Sequence, residues 1–174
     1  MTNKFLSEKQ ARRVAIVVMI QLGLVGFTVQ DRLSARLTGD DYLLRVAPID
    51  PMDPFRGAYV DLGYPDLQGL EPFQDLEQVD AEERALPEGE VFVPLVRDGD
   101  VWKGKEVTAG RPGKGPFLKC DSDSWRLRCG IESYFVPQDK ATAIEESVRS
   151  GTATARVKID GRGNAALIGL EIRP

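Results

Sequence analysis

The sequence predicts a mainly β (α+β) domain that follows one N-terminal transmembrane helix. A run of sixteen uncharged residues, VAIVVMIQLGLVGFTV, occupies positions 14–29. After residue 40, short apolar or alternating segments are separated by turns rich in Gly, Pro and Asp, a pattern that is typical of antiparallel β proteins. About seven to eight such strands, with one further helix, fit a compact β-sandwich or a partly open β-barrel.

The apolar run admits three interpretations. At ~1.5 Å per residue it covers about 24 Å, somewhat less than the ~30 Å hydrocarbon core of a bilayer. A buried core helix would show a polar face, and this run has none. A cleaved signal peptide would need a small-x-small site near the apolar end, where Gln30-Asp31-Arg32-Leu33 stands instead. An uncleaved signal anchor is therefore the prediction, with cleavage as the alternative.

The charges on either side of the run predict its orientation. Lys4, Lys9, Arg12 and Arg13 all precede it, and positive charges near a membrane end stay on the cytoplasmic side. We therefore predict three parts: a cytoplasmic basic segment at 1–13, a single-pass helix at 14–37 in the inner or plasma membrane, and a periplasmic or extracellular β domain at 40–174.

Composition limits the chemistry of that domain. The chain has 174 residues and a formal net charge of −4, and because its start is basic, the β domain is acidic. An acidic domain is a poor partner for nucleic acid, whose phosphates are bound by Lys and Arg. The sequence contains no histidine, which excludes Ser-His-Asp and Cys-His sites and removes the commonest catalytic metal ligand. No cofactor and no metal are predicted.

The elements of the domain follow from local patterns. A helix continuing from the apolar run should end at Gly39, a usual residue after a helix end. Asp98-Gly99 is a hairpin signal, and Gly161 to Gly163 form a second turn. A helix is predicted at 139–150, after Asp139 as N-cap. The predicted strands are 42–47, 58–64, 90–96, 101–107, 117–120, 125–136, 152–159 and 165–172.

Two cysteines offer a check on the compartment. Cys120 and Cys129 are the only ones, and the residues between them begin with a turn-forming Asp-Ser-Asp-Ser cluster. In an oxidising compartment they would close a hairpin as a disulfide, worth ~2 to 3 kcal/mol in the chain-entropy model. Two unrelated buried thiols remain the alternative, because spacing alone does not prove bonding geometry.

Two segments carry a resemblance to a known family. PIDPMDPFRGAYVDLGY at 48–64 resembles the signature of the bacterial GDYXXLXY family, a Pro-Asp-Pro loop followed by Arg-Gly-Asp-Tyr and Leu-x-Tyr. GIESYFVP at 130–137, with the acidic segment after it, is similar to a second block of that family. Ala58 replaces the Asp that gives the family its name. The positions that match the first signature are Arg56, Gly57, Tyr59, Leu62 and Tyr64.

The resemblance implies a membrane-anchored protein of unknown activity. Members of this family are often encoded beside multi-pass membrane proteins, which implies an integral membrane protein as partner. The missing carboxylate at Ala58 puts in doubt any role that would need one there.

The candidate binding residues lie in these two blocks: Asp53, Arg56, Tyr59, Tyr64, Glu132 and Tyr134. Arg56 either locks its loop by pairing with Asp50 or Asp53 or receives an anion at the mouth of the barrel. Tyr59 and Tyr64 point to opposite faces of a regular strand, so one should enter the core. Glu132 stands among apolar residues and is either partly buried or on the polar side of its strand.

Two functions from different classes follow. The first is a binding or assembly module that docks on an integral membrane protein, without catalytic residues. The second is an envelope hydrolase with a Ser-Lys or paired-carboxylate site, the chemistry that remains when histidine is absent. We favour the first, because without histidine only a lysine or a carboxylate is left to serve the hydrolase as general base.

Overall fold

The computed structural model describes residues 8–48, 59–67, 70, 86–123, 126–135, 147, 151 and 153–172. One long helix precedes the strands, as predicted. The elements in chain order are α1 (Glu8–Thr38), β1 (Asp40–Arg45), β2 (Ala47–Pro48), β3 (Tyr59–Gly63), β4 (Gly89–Asp98), β5 (Val101–Gly104), β6 (Phe117–Ser122), β7 (Leu127–Arg128), β8 (Ser133–Phe135), β9 (Ala153–Ile159) and β10 (Ala165–Ile172).

Helix α1 has the length and composition of a membrane span. Its segment Gln10–Thr38 is long and apolar enough to cross a bilayer, and none of its most apolar window is buried inside the protein. Large apolar side chains such as Ile20 (58% exposed) and Phe27 (71% exposed) face outward. The alternative of a buried core helix is therefore wrong, and the helix weakly indicates a membrane anchor.

The strands form a curled seven-stranded sheet, a half-barrel, and a small three-stranded sheet. The order is β10-β9-β1-β5-β4-β6-β7 in the large sheet and β2-β3-β8 in the small one. The large sheet is mixed, because β1 pairs with β5 in parallel and the other pairs are antiparallel. The predicted mainly β fold with one N-terminal helix is confirmed, and the partly open barrel describes it better than the sandwich.

The core fills the hollow of the curled sheet. Alternate residues of the long strands point inward, because successive side chains of a strand face opposite sides. On β4, Val91 and Val93 are fully buried and Leu95 is nearly so. They pack against apolar residues from β1, β6, β9 and the segments next to β3. The other large side chains of this core that are fully buried are Leu44, Leu62, Tyr64, Leu67, Leu118, Leu127, Ile131 and Val157.

Two predicted turns and the cysteine pair are confirmed. Gly99 joins β4 to β5 with a φ of 64°, and Gly163 lies in the β9–β10 turn with a φ of 88°. Both need the left-handed backbone form that glycine adopts freely. The sulfur atoms of Cys120 and Cys129 are at disulfide-bonding distance, with Cα atoms 4.2 Å apart.

The single strand predicted at 125–136 is wrong. The described part of this segment contains two short strands instead, β7 beside β6 in the large sheet and β8 beside β3 in the small sheet. Gly130, with a φ of 79°, turns the chain between them, so one predicted arm is divided between two sheets. The predicted helix at 139–150 lies outside the described residues, except Ser147, which is helical and buried.

The helix joins the sheet without a spacer. Helix α1 ends at Thr38 and β1 begins at Asp40, so only Gly39 separates them. The Gly39 amide donates a hydrogen bond to the Ala35 carbonyl (2.9 Å). A Cβ on Gly39 would lie 2.4 Å from that oxygen and 2.9 Å from the backbone of Ile159. Close approach of three backbone segments is therefore what requires glycine at this position.

We expect Gly39→Ala to loosen this joint. The added methyl group meets backbone atoms that cannot rotate away, so it should lower the free energy of unfolding by about 1–3 kcal/mol. Gly110→Ala is the matched control, because nothing lies within 4 Å of the position of its Cβ. Chemical unfolding of the full chain in a mild detergent measures both, and equal stability of the two variants would contradict this account of the joint.

Candidate functional site

The two sequence blocks of the resemblance lie side by side in the structure. β3 comes from the first block and β8 from the second, and they pair antiparallel with Tyr59 opposite Phe135 and Asp61 opposite Ser133. The Leu62 amide extends the pairing by donating to the Glu132 carbonyl (2.7 Å). Residues far apart in the chain therefore form one small sheet.

Tyr64 ties the end of β3 to the turn before β8. Its side chain is fully buried, and its hydroxyl donates a hydrogen bond to the Ile131 carbonyl (2.7 Å). Burial, together with the nearby Glu132 carboxylate, raises the pKa of Tyr64 far above its ordinary value. This tyrosine stays neutral at any physiological pH, and its position is that of a core residue with a satisfied hydroxyl group.

Glu132 organises the turn between β7 and β8. Its carboxylate accepts hydrogen bonds from the backbone N–H of Cys129 and from that of Gly130 (3.0 and 3.1 Å). The disulfide to Cys120 on β6 fixes the start of the same turn. The half-buried Glu132 is thus neither a core residue nor a free surface residue, but the acceptor around which the chain changes sheets.

A buried carboxylate attaches the helix to the β domain. Asp160, 7% exposed in the β9–β10 turn, accepts a hydrogen bond from the Ser34 hydroxyl of α1 (2.6 Å). It also accepts from the Asn164 amide side chain (3.0 Å) and from the backbone N–H of Arg162 and Asn164. Burial alone would raise the pKa of Asp160, but these hydrogen bonds outweigh it and hold the pKa below its ordinary value.

A cleft lies at the end of the helix. The cleft holds about 340 Å³ and lies between α1, the β7–β8 turn with β8, and strand β10. The last turns of α1 supply the basic side of the cleft, the second sequence block supplies a carboxylate, a hydroxyl group and a phenol, and β10 supplies an apolar floor. The residues of these walls are Arg32, Arg36, Glu132, Ser133, Tyr134 and Ile168.

The two arginines give the cleft its charge. Arg32 and Arg36 are exposed and stand four residues apart, so their side chains share one face of the helix. Neither guanidinium forms an ion pair with a carboxylate in the described part of the chain. The guanidinium of Arg32 stands beside Gly130, with Nη2 3.6 Å from where a Cβ of Gly130 would be. Two planar guanidinium groups that face one cavity without an ion-pair partner are suited to binding an oxyanion.

The cleft offers little for catalysis or for a metal. Ser133 donates its hydroxyl hydrogen to Asp61 (3.0 Å), and no lysine lines the cleft among the residues that the structure describes. Those residues also contain no group of three or more His, Cys, Asp or Glu side chains that could hold a metal ion. Recognition of an anion is what this arrangement can do.

Two of the sequence-predicted candidates, Glu132 and Tyr134, line the cleft. Tyr64 lies in the core, with its hydroxyl on the Ile131 carbonyl. Asp53 and Arg56 lie outside the described residues, and only the backbone of Tyr59 is described, in β3 opposite Phe135.

Sequence reasoning missed the two cleft arginines. Their signal was a pair of arginines four residues apart, shortly after the apolar run. Only Gln30 and Asp31 separate the run from Arg32. Nothing local to these arginines indicates that the β7–β8 turn comes to face them.

Comparison with known families identifies one match. The family model described as GDYXXLXY protein matches residues 21–170, from the middle of α1 to β10. Comparison with curated proteins and with solved structures gives no significant match to either.

We expect Asp160→Asn to weaken the helix attachment in a pH-dependent way. A lowered pKa means that ionised Asp160 stabilises the fold above the ordinary pKa of about 4 and that this contribution is lost as pH falls through the lowered value. At pH 7 the variant should be less stable by about 1–3 kcal/mol, the cost of disturbing a buried charged acceptor.

The difference between wild type and Asp160→Asn should shrink on acidification below about pH 4. Asp100→Asn in the exposed β4–β5 turn is the control and should follow the wild type at every pH. Thermal unfolding monitored from pH 3 to pH 7 measures all three chains. A gap that stays constant over this range would show that the charge of Asp160 does not stabilise the joint.

Proposed function

Because the chain belongs to the GDYXXLXY family, we propose that it is a membrane-anchored assembly module. In this proposal α1 spans the cytoplasmic membrane with its N-terminus inside, the β domain lies outside, and the helix binds an integral membrane protein of the bacterial envelope. The family assignment supplies no activity, so the support comes from the helix, the joint and the cysteines.

The single observation that carries the proposal is Gln21. It lies near the middle of the apolar run, is exposed, and forms no side-chain hydrogen bond with any described residue. In hydrocarbon there is no water to satisfy an amide, and Gln side chains inside membranes commonly hydrogen-bond across to another helix. A second polypeptide that supplies this partner explains why a polar residue occupies the centre of the span.

The joint supports assembly rather than simple tethering. A flexible linker would let the β domain rotate freely, whereas Gly39 and the Ser34–Asp160 hydrogen bond hold the domain directly on the helix. A partner that binds α1 therefore also fixes the direction in which the β domain faces. A fixed direction is useful to a subunit of a complex and unnecessary for an enzyme that is merely kept at the membrane.

The orientation has its own support. The basic residues Arg12 and Arg13 precede the apolar run, and retention of positive charge in the cytoplasm supports a β domain on the outer side. The bonded cysteine pair is compatible with this side, because disulfides persist in oxidising compartments. Among the described residues, the cleft gives the hydrolase alternative no support, since Ser133 is hydrogen-bonded to Asp61 and not to a lysine.

We expect a single cysteine on the β domain to be labelled from outside. Lys114→Cys lies in an exposed loop and should react with a membrane-impermeant maleimide in intact spheroplasts, whereas Thr2→Cys should react only after lysis. The wild type serves as background control, because its cysteines are bonded to each other. The reverse labelling pattern would overturn the orientation and with it the proposed site of action.

We expect Gln21→Leu to weaken the partner complex. Loss of one interhelical hydrogen bond should cost about 0.6–2 kcal/mol, which is roughly a threefold to thirtyfold weaker association. Met19→Leu, an exposed apolar replacement close by on α1, is the matched control and should bind as the wild type does. Both chains would be produced at native abundance and extracted in mild detergent after crosslinking.

The readout is the fraction of the chain that is crosslinked through Leu24 or Val25 replaced by a photoreactive residue. These exposed positions lie three and four residues after Gln21, so they share its face of α1. The proposal predicts that both positions crosslink to the same membrane protein. With Gln21→Leu the crosslinked fraction should be smaller. Recovery of the chain alone as a monomer, or equal crosslinking by both variants, would count against it.

A further inference from the structure

The height of the cleft relative to a bilayer can be estimated from the helix. A hydrocarbon core of ~30 Å takes about 20 helical residues. When such a span is centred on residues 14–29, its two boundaries fall close to Arg12 and Arg32. Arg36 then lies about 6 Å farther out. The polar layer of a bilayer leaflet is roughly 5–7 Å thick, so both cleft arginines lie at the level of the lipid headgroups.

The charge of the cleft at this level is positive. Arg32 and Arg36 contribute two cations, and Glu132 contributes one anion whose oxygens already accept backbone hydrogen bonds. The balance is one positive charge, which a phosphodiester with one negative charge neutralises. Arginine is the residue best suited to such a group, because its planar fork meets two phosphate oxygens at once.

The rest of the wall suits the body of a lipid. Leu167 and the β10 bulge residue Ile168 give the cleft an apolar side, while Tyr134 and Ser133 stand on the polar side. A ligand that is polar at one end and apolar at the other fits such a surface at the membrane boundary. A soluble anion would use the arginines but not the apolar side.

We propose that this cleft binds the phosphate headgroup of an anionic phospholipid from the leaflet on the β-domain side. Arg32 and Arg36 hold the phosphate oxygens, and Leu167 and Ile168 contact the glycerol end of the lipid. The inference rests on the membrane anchoring proposed above, and it adds a ligand class that the assembly function does not require. A bound lipid would also fill the gap between α1 and the β domain.

The experiment measures lipid retained by the full chain in a neutral detergent, by native mass spectrometry. Phosphatidylglycerol is titrated against phosphatidylcholine, which has the same phosphate but no net charge. The wild type should bind one phosphatidylglycerol about tenfold more tightly than phosphatidylcholine. Arg32→Gln and Arg36→Gln should each weaken phosphatidylglycerol binding by about tenfold.

The matched control is Arg97→Gln, which removes the same charge from the far end of β4. That end lies beside the Arg45 end of β1, whereas α1 meets β1 at Asp40. Its phosphatidylglycerol binding should equal that of the wild type. A second measurement needs no variant: raising the salt from 0.05 to about 0.5 M should lower wild-type binding of phosphatidylglycerol more than that of phosphatidylcholine.

Three outcomes would overturn the proposal. The first is equal retention of the two lipids, and the second is an equal loss of phosphatidylglycerol binding in Arg97→Gln and in the cleft variants. The third is binding of inorganic phosphate that is as tight as that of phosphatidylglycerol. Each of these results excludes a lipid headgroup site. Because retention is measured in detergent, the result does not depend on orientation in the membrane. Failure here is therefore distinguishable from failure of the topology or of the partner complex.

Discussion

The hydrogen bond between Ser34 and Asp160 is the contact on which the arrangement of the molecule depends. It joins the last turns of α1 to the β9–β10 turn, at the point where Gly39 lets the backbone of the helix approach Ile159. The acceptor is strong because Asn164 and two backbone N–H groups fix the Asp160 carboxylate before the helix reaches it. An aspartate that was free to rotate would offer a much weaker attachment.

The position of the second sequence block relative to α1 depends on this joint. The sheet begins at the helix end with β1, and its curl brings the β7–β8 turn to the same side of α1 as Arg32 and Arg36. Tyr64 and the disulfide hold that turn from two directions, one through the Ile131 carbonyl and one through Cys129. The β7–β8 turn and β8, which pairs with β3, thus form a wall of the cleft that faces the end of the helix.

The sequence predicted what local patterns determine and missed what distant contacts determine. The apolar run, the Asp98-Gly99 turn and the cysteine pair are local signals, and the structure agrees with each. The division of 125–136 between two sheets depends on Gly130 and on the Glu132 carboxylate accepting backbone N–H groups, which no periodicity reveals. The parallel pairing of β1 with β5 is equally nonlocal, because parallel neighbours need a long connection between them.

In the proposed assembly, Gln21 and the cleft arginines would act at two depths of one unit, and this would separate their roles. Gln21 would lie where another membrane-embedded chain can satisfy its amide group, so it would bear on which protein is bound. Arg32 and Arg36 would lie within reach of headgroups, so they would bear on how deeply the unit sits and how it is rotated. With a flexible linker, binding of a partner or of headgroups to the helix would not orient the β domain. Gly39 and the Ser34–Asp160 hydrogen bond leave no such linker, so both kinds of binding would orient the β domain together with the helix. Its outer surface would then face a partner in one direction only.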